Sequence, residues 1–305
     1  MKTRLVAVVC LFIASFLSLP SANAAVPAEA LLSPDALGYD VSWPQCGGGL
    51  PGGQAFAIIG VNGGRPENSN PCFAEQLAWA NTTAGIAGQP KVALYVNTAN
   101  PGPWGSGWWP GSNVILGAEV PNPYGACDGG PTPACSYIYG YAMASDDANQ
   151  RGVTNPKQYL WWLDVEFGNA WFLDTVSNAA SVEGMAAYFQ NIGAPVGIYS
   201  TSYQFGSIAG QLHPDSNLNG LKNWIPGASS EDSAKEYCGV APLTPGSKVT
   251  MTQFTDGVFD YNYSCTPPVA PAPPAPPKVV APVQHGSLTT TDTGRPKPAD
   301  QAPQS

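Results

Sequence analysis

The sequence predicts an α/β protein, a closed parallel barrel of seven or eight strands, on three observations. Strand-like and helix-like segments alternate over about 240 residues between Ala25 and Cys265. The strand-like segments are short continuous apolar runs, as expected of strands covered on both faces. Several of them end in a carboxylate or a polar side chain, and barrel enzymes place their chemistry at the carboxyl ends of the strands.

In chain order, Gly38-Tyr39-Asp40-Val41-Ser42 is a short strand holding an acid, followed by the loop Trp43-Pro44-Gln45-Cys46 and glycines 47 to 49. No Lys-Ser or Lys-Thr follows these glycines, so they read as a flexible loop and not as a phosphate cradle. Phe56 to Val61 is an apolar strand closed by the turn Asn62-Gly63-Gly64, and Cys72 to Ala84 carries Phe73, Leu77 and Ala80 on one helical face. Lys91 to Val96 is a third strand. Asn97 to Pro133 is a long insert rich in Pro, Gly and Trp, with Trp104, Trp108 and Trp109. An insert of this length inside a compact domain is functional or disordered. Sugar stacking and a hydrophobic plug under a loop both stand open for its tryptophans.

A helix over Ser136 to Ala148, in which Asp146 and Asp147 read as a solvated face, leads to the central stretch. Tyr159-Leu160-Trp161-Trp162-Leu163-Asp164-Val165-Glu166 is an apolar strand ending in two acids spaced i, i+2. A strand repeats every two residues, so Asp164 and Glu166 point one way and Val165 the other. Like charges held close in a poorly solvated cleft titrate unequally, and one keeps its proton near neutral pH, as general acid chemistry needs. Asn178 to Gln190 sets Val182, Met185, Ala186 and Phe189 on one helical stripe with Gly193 as its stop. Val196 to Ser200 is the next strand, with a short helix over Tyr203 to Ala209. Asn223 to Pro226 and Val249 to Phe254 supply two more strands, and Phe259-Asp260-Tyr261-Asn262 adds another acid. Asp40, Asp164, Glu166, Tyr199 and Gln253 all fall at or near predicted strand ends.

The ends of the chain read differently. Residues 1–24 follow the order of a secretory signal: Lys2 and Arg4, an apolar run from Leu5 to Leu19, then Ala22-Asn23-Ala24. Export and cleavage after Ala24 are expected, with no membrane anchor left behind. Residues 25–36 form a lead, 37–266 the barrel domain, and 267–305 a proline-rich tail too polar to bury a core. Six cysteines remain after the signal, an even number that in an exported chain argues for three disulfides. Their order favours Cys46 with Cys72, Cys127 with Cys135, and Cys238 with Cys265, although spacing alone leaves 15 pairings open. No Cys-x-x-Cys pair occurs, and the two histidines are His213, in a loop, and His285, in the tail. No metal or cofactor is expected, nor a histidine-based triad. Between Ala25 and Cys265 there are 19 acidic and 7 basic side chains, a net charge of −12. Such a surface repels nucleic acid. The triplets Asn81-Thr82-Thr83 and Asn262-Tyr263-Ser264 match a glycosylation pattern but read as chance.

Taken together, Gly-Tyr-Asp-Val-Ser at 38–42, Phe-Ala-Ile-Ile-Gly-Val-Asn at 56–62, Leu-Asp-Val-Glu at 163–166, Gly-Ile-Tyr-Ser at 197–200, Trp-Ile-Pro-Gly-Ala at 224–228, and Thr-Gln-Phe followed by Phe-Asp-Tyr-Asn resemble the glycoside hydrolase family 25 lysozymes. The order matches across nearly the whole domain, and the variant looks like the secreted forms of actinobacteria. The resemblance implies an irregular (β/α)8 barrel that cleaves the β-1,4 bond after N-acetylmuramic acid in peptidoglycan. It makes Glu166 the general acid. Asp164 beside it orients the substrate acetamide or stabilises developing charge. Asp40 and Asp260 complete a carboxylate-lined cleft, Tyr199 bonds the N-acetyl group, and Gln253 and Trp43 contribute to substrate binding. The expected protein is a secreted monomer acting on cell-wall glycan. The chitinase signature Asp-x-x-Asp-x-Asp-x-Glu is absent, since Trp162 and Tyr159 stand where it requires aspartates. A barrel that binds wall glycan without cleaving it is the alternative from another class, and an adhesive protein using its proline-rich tail is a third.

Overall fold

A computed structural model describes residues 37–265 of the 305-residue chain. The predicted signal, the lead up to residue 36 and the proline-rich tail lie outside the described residues. The elements in chain order are β1 Gly38–Val41, β2 Ala57–Gly60, α1 Phe73–Ala80, β3 Val92–Asn97, α2 Gly102–Gly105, β4 Val114–Ile115, β5 Ala118–Glu119, α3 Pro133–Gln150, β6 Trp161–Asp164, α4 Thr175–Asn191, β7 Val196–Tyr199, α5 Ser202–Ala209, β8 Lys222–Ala228, α6 Glu231–Tyr237, β9 Lys248–Thr255 and β10 Asp260–Ser264. Eight strands close into a barrel in the order β1-β10-β9-β8-β7-β6-β3-β2, and β4 and β5 form a separate hairpin in the insert.

Seven barrel strands run parallel, and β10 is antiparallel to both β9 and β1. This corrects the expectation of an all-parallel barrel. Only Asp256 to Phe259 join β9 to β10, and a link that short makes a hairpin, whereas a parallel neighbour needs a crossover of a dozen or more residues. Asp256 Oδ1 accepts from the backbone N–H of Val258 and Phe259 at 2.8 and 2.9 Å, which closes the turn. Pro226 sits in β8 where the register to β9 slips, the irregular position at which a residue without an N–H is tolerated.

Strand parity divides the apolar side chains into two layers. Val41, Ile59, Leu94, Val96, Trp161, Leu163 and Ile198 pack outward with Tyr139 and Met143 of α3 and Val182, Met185 and Phe189 of α4. Phe56, Ile58, Ala93, Leu160, Trp162, Trp224 and Met251 fill the interior. Trp161 and Trp162, adjacent in sequence, therefore serve opposite layers. The Trp161 ring stacks on Phe189 at 4.3 Å, and Trp162 meets Trp224 edge-on at 5.7 Å. Glycines make room for the interior rings. A Cβ on Gly197 would lie 2.3 Å from the Trp162 ring, and one on Gly60 would lie 2.8 Å from the Tyr95 ring.

The four predicted helices, α1, α3, α4 and α5, are longer or shorter than expected by about a turn at most at each end, α2 and α6 are not foreseen from the sequence, and side-chain caps set several starts. Thr132, Asp174, Thr201 and Ser230 each accept from backbone N–H groups of the following turn. The three disulfides pair Cys46–Cys72, Cys127–Cys135 and Cys238–Cys265, as the sequence order favours. One helical reading is corrected. Asp146 is exposed, but Asp147 is fully buried, its Oδ1 accepting from Arg151 Nε at 2.7 Å and its Oδ2 from Asn62 Nδ2 at 3.4 Å. The same Arg151 donates to Ser69 Oγ and Pro66 O, at 2.8 and 2.6 Å. The pair anchors the end of α3 to the loop after β2, which no apolar periodicity could reveal. Among the described residues, no helix is long and apolar enough to cross a membrane.

Candidate active site

The inward-facing positions change character along each strand. Gly38, Ala93, Trp162, Gly197 and Met251 lie low in the barrel, and the residues two steps further are Asp40, Tyr95, Asp164, Tyr199 and Gln253. One two-residue repeat per strand thus turns an apolar floor into a polar mouth. The antiparallel β10 reaches the same layer from the other direction, and its Asp260 pairs with Asp40 while Asn262 pairs with Gly38.

Asp40 is buried, and its Oδ1 accepts from both Asn262 Nδ2 at 2.7 Å and Gln253 Nε2 at 2.9 Å. Tyr199 OH donates to Gln253 Oε1 at 2.8 Å, which fixes the orientation of that amide. A chain of hydrogen bonds therefore joins β7, β9, β1 and β10 across the mouth. Burial first, and then the neighbouring Asp260, pushes the Asp40 carboxyl up to about 7 against the pull of its two amide donors.

Asp164 ends β6. It is buried, its Oδ1 has no hydrogen-bond partner among the described residues, and burial, Glu166 and Asp40 hold its carboxyl well above the ordinary range. Its backbone carbonyl is well held, accepting from the Thr98 N–H and hydroxyl at 3.1 and 2.6 Å. Glu166 lies just past the strand in a turn and is half-buried. Val165 between them is buried in the outer layer, so both acids turn toward the mouth as the alternation requires. Trp171 Nε1 donates to the Glu166 carbonyl at 2.8 Å. Gln204 Nε2 lies 3.4 Å from Glu166 Oε1. Burial raises the Glu166 carboxyl, Gln204 lowers it, and Asp260 raises it. Asp260 is itself raised, chiefly by burial. Burial is the first cause in all four acids, and neighbouring carboxyls add to it. Buried carboxylates held close together share protons.

No family model matches the chain. The chain is similar to a lysozyme-like protein. It is 36% identical to "Lysozyme-like protein 5" of Caenorhabditis elegans over 123 residues, which are 40% of this chain and 53% of the relative. The chain thus spans about half the length of the curated relative it matches. Two solved structures resemble it more distantly. The bacterial lysozyme of Streptomyces coelicolor has 16% identity and a TM-score of 0.47, with 75% of this chain and 91% of that chain covered. A family GH25 lysozyme of Aspergillus fumigatus has 12% identity and a TM-score of 0.44, with 75% and 93% covered.

Of the residues singled out in the sequence, the fold brings Asp40, Asp164, Glu166, Tyr199, Gln253 and Asp260 to one mouth. Trp43 stands in the turn after β1, half exposed and against Gly64. Three further residues are not assigned to the site from the sequence. Tyr95 faces the interior with its phenol raised by burial and by Asp40. Its alternation with Ala93 was the available signal. Asn262 is fully buried on Asp40, so it belongs to the site and is no glycan acceptor. Gln204 lies in α5, where the sequence carries no sign of it. His213 is exposed in its loop, 3.7 Å from Asp215. Among the described residues, no group of three or more His, Cys, Asp and Glu side chains is arranged to hold a metal ion.

Proposed function

We propose that the protein is an exported glycoside hydrolase that cleaves β-1,4 bonds of N-acetylated cell-wall polysaccharide, peptidoglycan in particular, with Glu166 as general acid. The observation that carries this reading is the mouth itself, where Asp40, Asp164, Glu166 and Asp260 come together at the ends of the barrel strands and burial raises each carboxyl. Carboxyl pairs of this kind suit a transition state with oxocarbenium character. The likeness to a lysozyme-like protein and the sequence resemblance to family 25 lysozymes support the substrate class. Three disulfides support export to an oxidising compartment.

In this mechanism Glu166, the more accessible member of the β6 pair, transfers its proton to the glycosidic oxygen as the bond from C1 breaks. The departing sugar leaves with a hydroxyl group. Positive charge spreads over C1 and the ring oxygen, facing Asp164 and Asp260. Water adds at C1, gives a proton to the Glu166 carboxylate, and so restores the acid for the next cycle. Asp164 has an oxygen free of protein partners and meets the 2-acetamido group. Tyr199 and Gln253 hold the far side of the sugar. Asp40, already engaged by two amides, stays fixed and tunes its neighbours.

The test incubates oxidised protein and its Glu166→Gln variant with insoluble peptidoglycan, measuring both released reducing ends and bound protein. Release by wild type alone is the expected outcome. Equal binding by both proteins without any release, on peptidoglycan and on other wall glycans, would make the barrel a binding module and overturn the assignment.

A further inference from the structure

Gln204 joins the acid to the loop that carries it. Its side-chain Oε1 accepts the Phe167 backbone N–H at 2.7 Å, and its Nε2 lies 3.4 Å from Glu166 Oε1. The first contact fixes the sense of the amide. With the carbonyl oxygen committed to a backbone donor, the NH2 group faces the carboxylate and can only donate. The base of the side chain is fixed as well. Thr201 caps α5 by accepting the Gln204 N–H at 3.1 Å, and β6 and β7 are tied at their ends by Val165 N to Tyr199 O at 2.9 Å and Ser200 Oγ to Val165 O at 2.7 Å. Tyr203 packs edge-on against Phe167 at 5.6 Å, so the neighbours of Gln204 and of Glu166 touch as well.

We propose that Gln204 is a positioning residue, which aims the Glu166 carboxyl and sets the pH at which it gives up its proton. The inference rests on the reading of Glu166 as the general acid. Among the described residues, the titratable groups acting on that carboxyl are Asp164 at the end of β6, Asp260 from β10, Tyr199 from β7 and, through Asp164, Asp40 from β1. All are acidic or neutral. The Gln204 amide is thus the side-chain donor that counteracts them, because a hydrogen bond to the ionised form lowers a carboxyl pKa. Without it, Glu166 would hold its proton to higher pH. With it, the acid is poised to transfer the proton and to take one back from water.

The test reads Glu166 directly, by carbon NMR of the full exported chain labelled at glutamate Cδ, with the Glu166 signal identified by its loss in Glu166→Gln. Gln204→Leu removes donor and acceptor together, and the midpoint of Glu166 should rise by about half a unit to one unit, the effect of a hydrogen bond of ordinary net strength. Gln204→Glu keeps the acceptor for Phe167 but replaces the donor with a like charge, so it should raise the midpoint further while preserving the loop. The alkaline limb of kcat on peptidoglycan should move up with the midpoint in both variants. A folded Gln204→Glu protein whose Glu166 midpoint equals that of wild type overturns the inference, as does a uniform loss of rate at every pH with the midpoint unmoved. A midpoint that moves while the alkaline limb stays in place upholds Gln204 as the partner of Glu166 and removes Glu166 as the acid.

Discussion

A buried carboxyl keeps its proton unless donors replace the water it has lost, and the acids of the mouth differ in how many donors they have. Asp40 has two amides, Glu166 one, and Asp164 an oxygen with none. The difference fits the roles proposed for them. Asp40 is raised to about 7 from 3.8, so in the folded protein it stays protonated after the unfolded chain has ionised. Its contribution to stability is full below about pH 4 and is lost as pH rises toward 7. We expect the melting temperature to fall over that window, and the fall to be shallower in Asp40→Asn; an equal slope in both proteins would place the titrating group elsewhere. At neutral pH, Glu166→Gln should lower kcat by about 10²–10⁴-fold, the range for a general acid, while leaving the melting temperature near that of wild type. Of these residues the sequence exposes the acids, because strand ends are visible in apolar runs. It hides Gln204 and the Asn62–Asp147–Arg151 chain, because hydrogen bonds between distant segments follow no periodicity.

At the scale of elements, α3 and α4 meet at glycines. A Cβ on Gly140 would lie 1.9 Å from the Ser181 carbonyl oxygen, and one on Gly184 would lie 1.9 Å from the Tyr137 carbonyl oxygen. Both obstacles are backbone, so neither can swing aside. Gly140→Ala or Gly184→Ala should therefore destabilise the protein by about 2–3 kcal/mol or more in chemical denaturation, as overpacking does. Gly206 in α5 has open space around its Cβ position, and Gly206→Ala should be stabilising by about 0.5–1 kcal/mol. A neutral Gly140→Ala would show that the helices can separate without loss. The α4 stripe of Val182, Met185, Ala186 and Phe189 is legible in sequence because four residues repeat at helical spacing. The glycines are not, since their role depends on which helix lies opposite. The direction of β10 is legible only when the length of the link from Thr255 to Asp260 is weighed beside the strand pattern.

At the scale of the molecule, the barrel is a parallel array closed by one reversed strand, and a disulfide guards the closure. Cys265, just past β10, is bonded to Cys238 at the end of α6, across 27 residues of sequence. Cys238→Ser with Cys265→Ser should lower stability by about 3 kcal/mol, read as a lower denaturation midpoint, and an unchanged midpoint would show that the hairpin holds the barrel shut unaided. The division into an apolar floor and an acidic mouth follows from strand parity, which is why fold and mouth can be anticipated together from runs such as Trp161 to Glu166. Cleavage of a β-1,4 bond in wall glycan is the activity proposed for this mouth. The most direct measurement is borohydride reduction of a peptidoglycan digest, followed by mass identification of the reduced end sugar. N-acetylmuramitol is expected from wild type and at least about a hundredfold less from Glu166→Gln. Reduced N-acetylmuramic acid in equal amount from both proteins, or from neither, would contradict it.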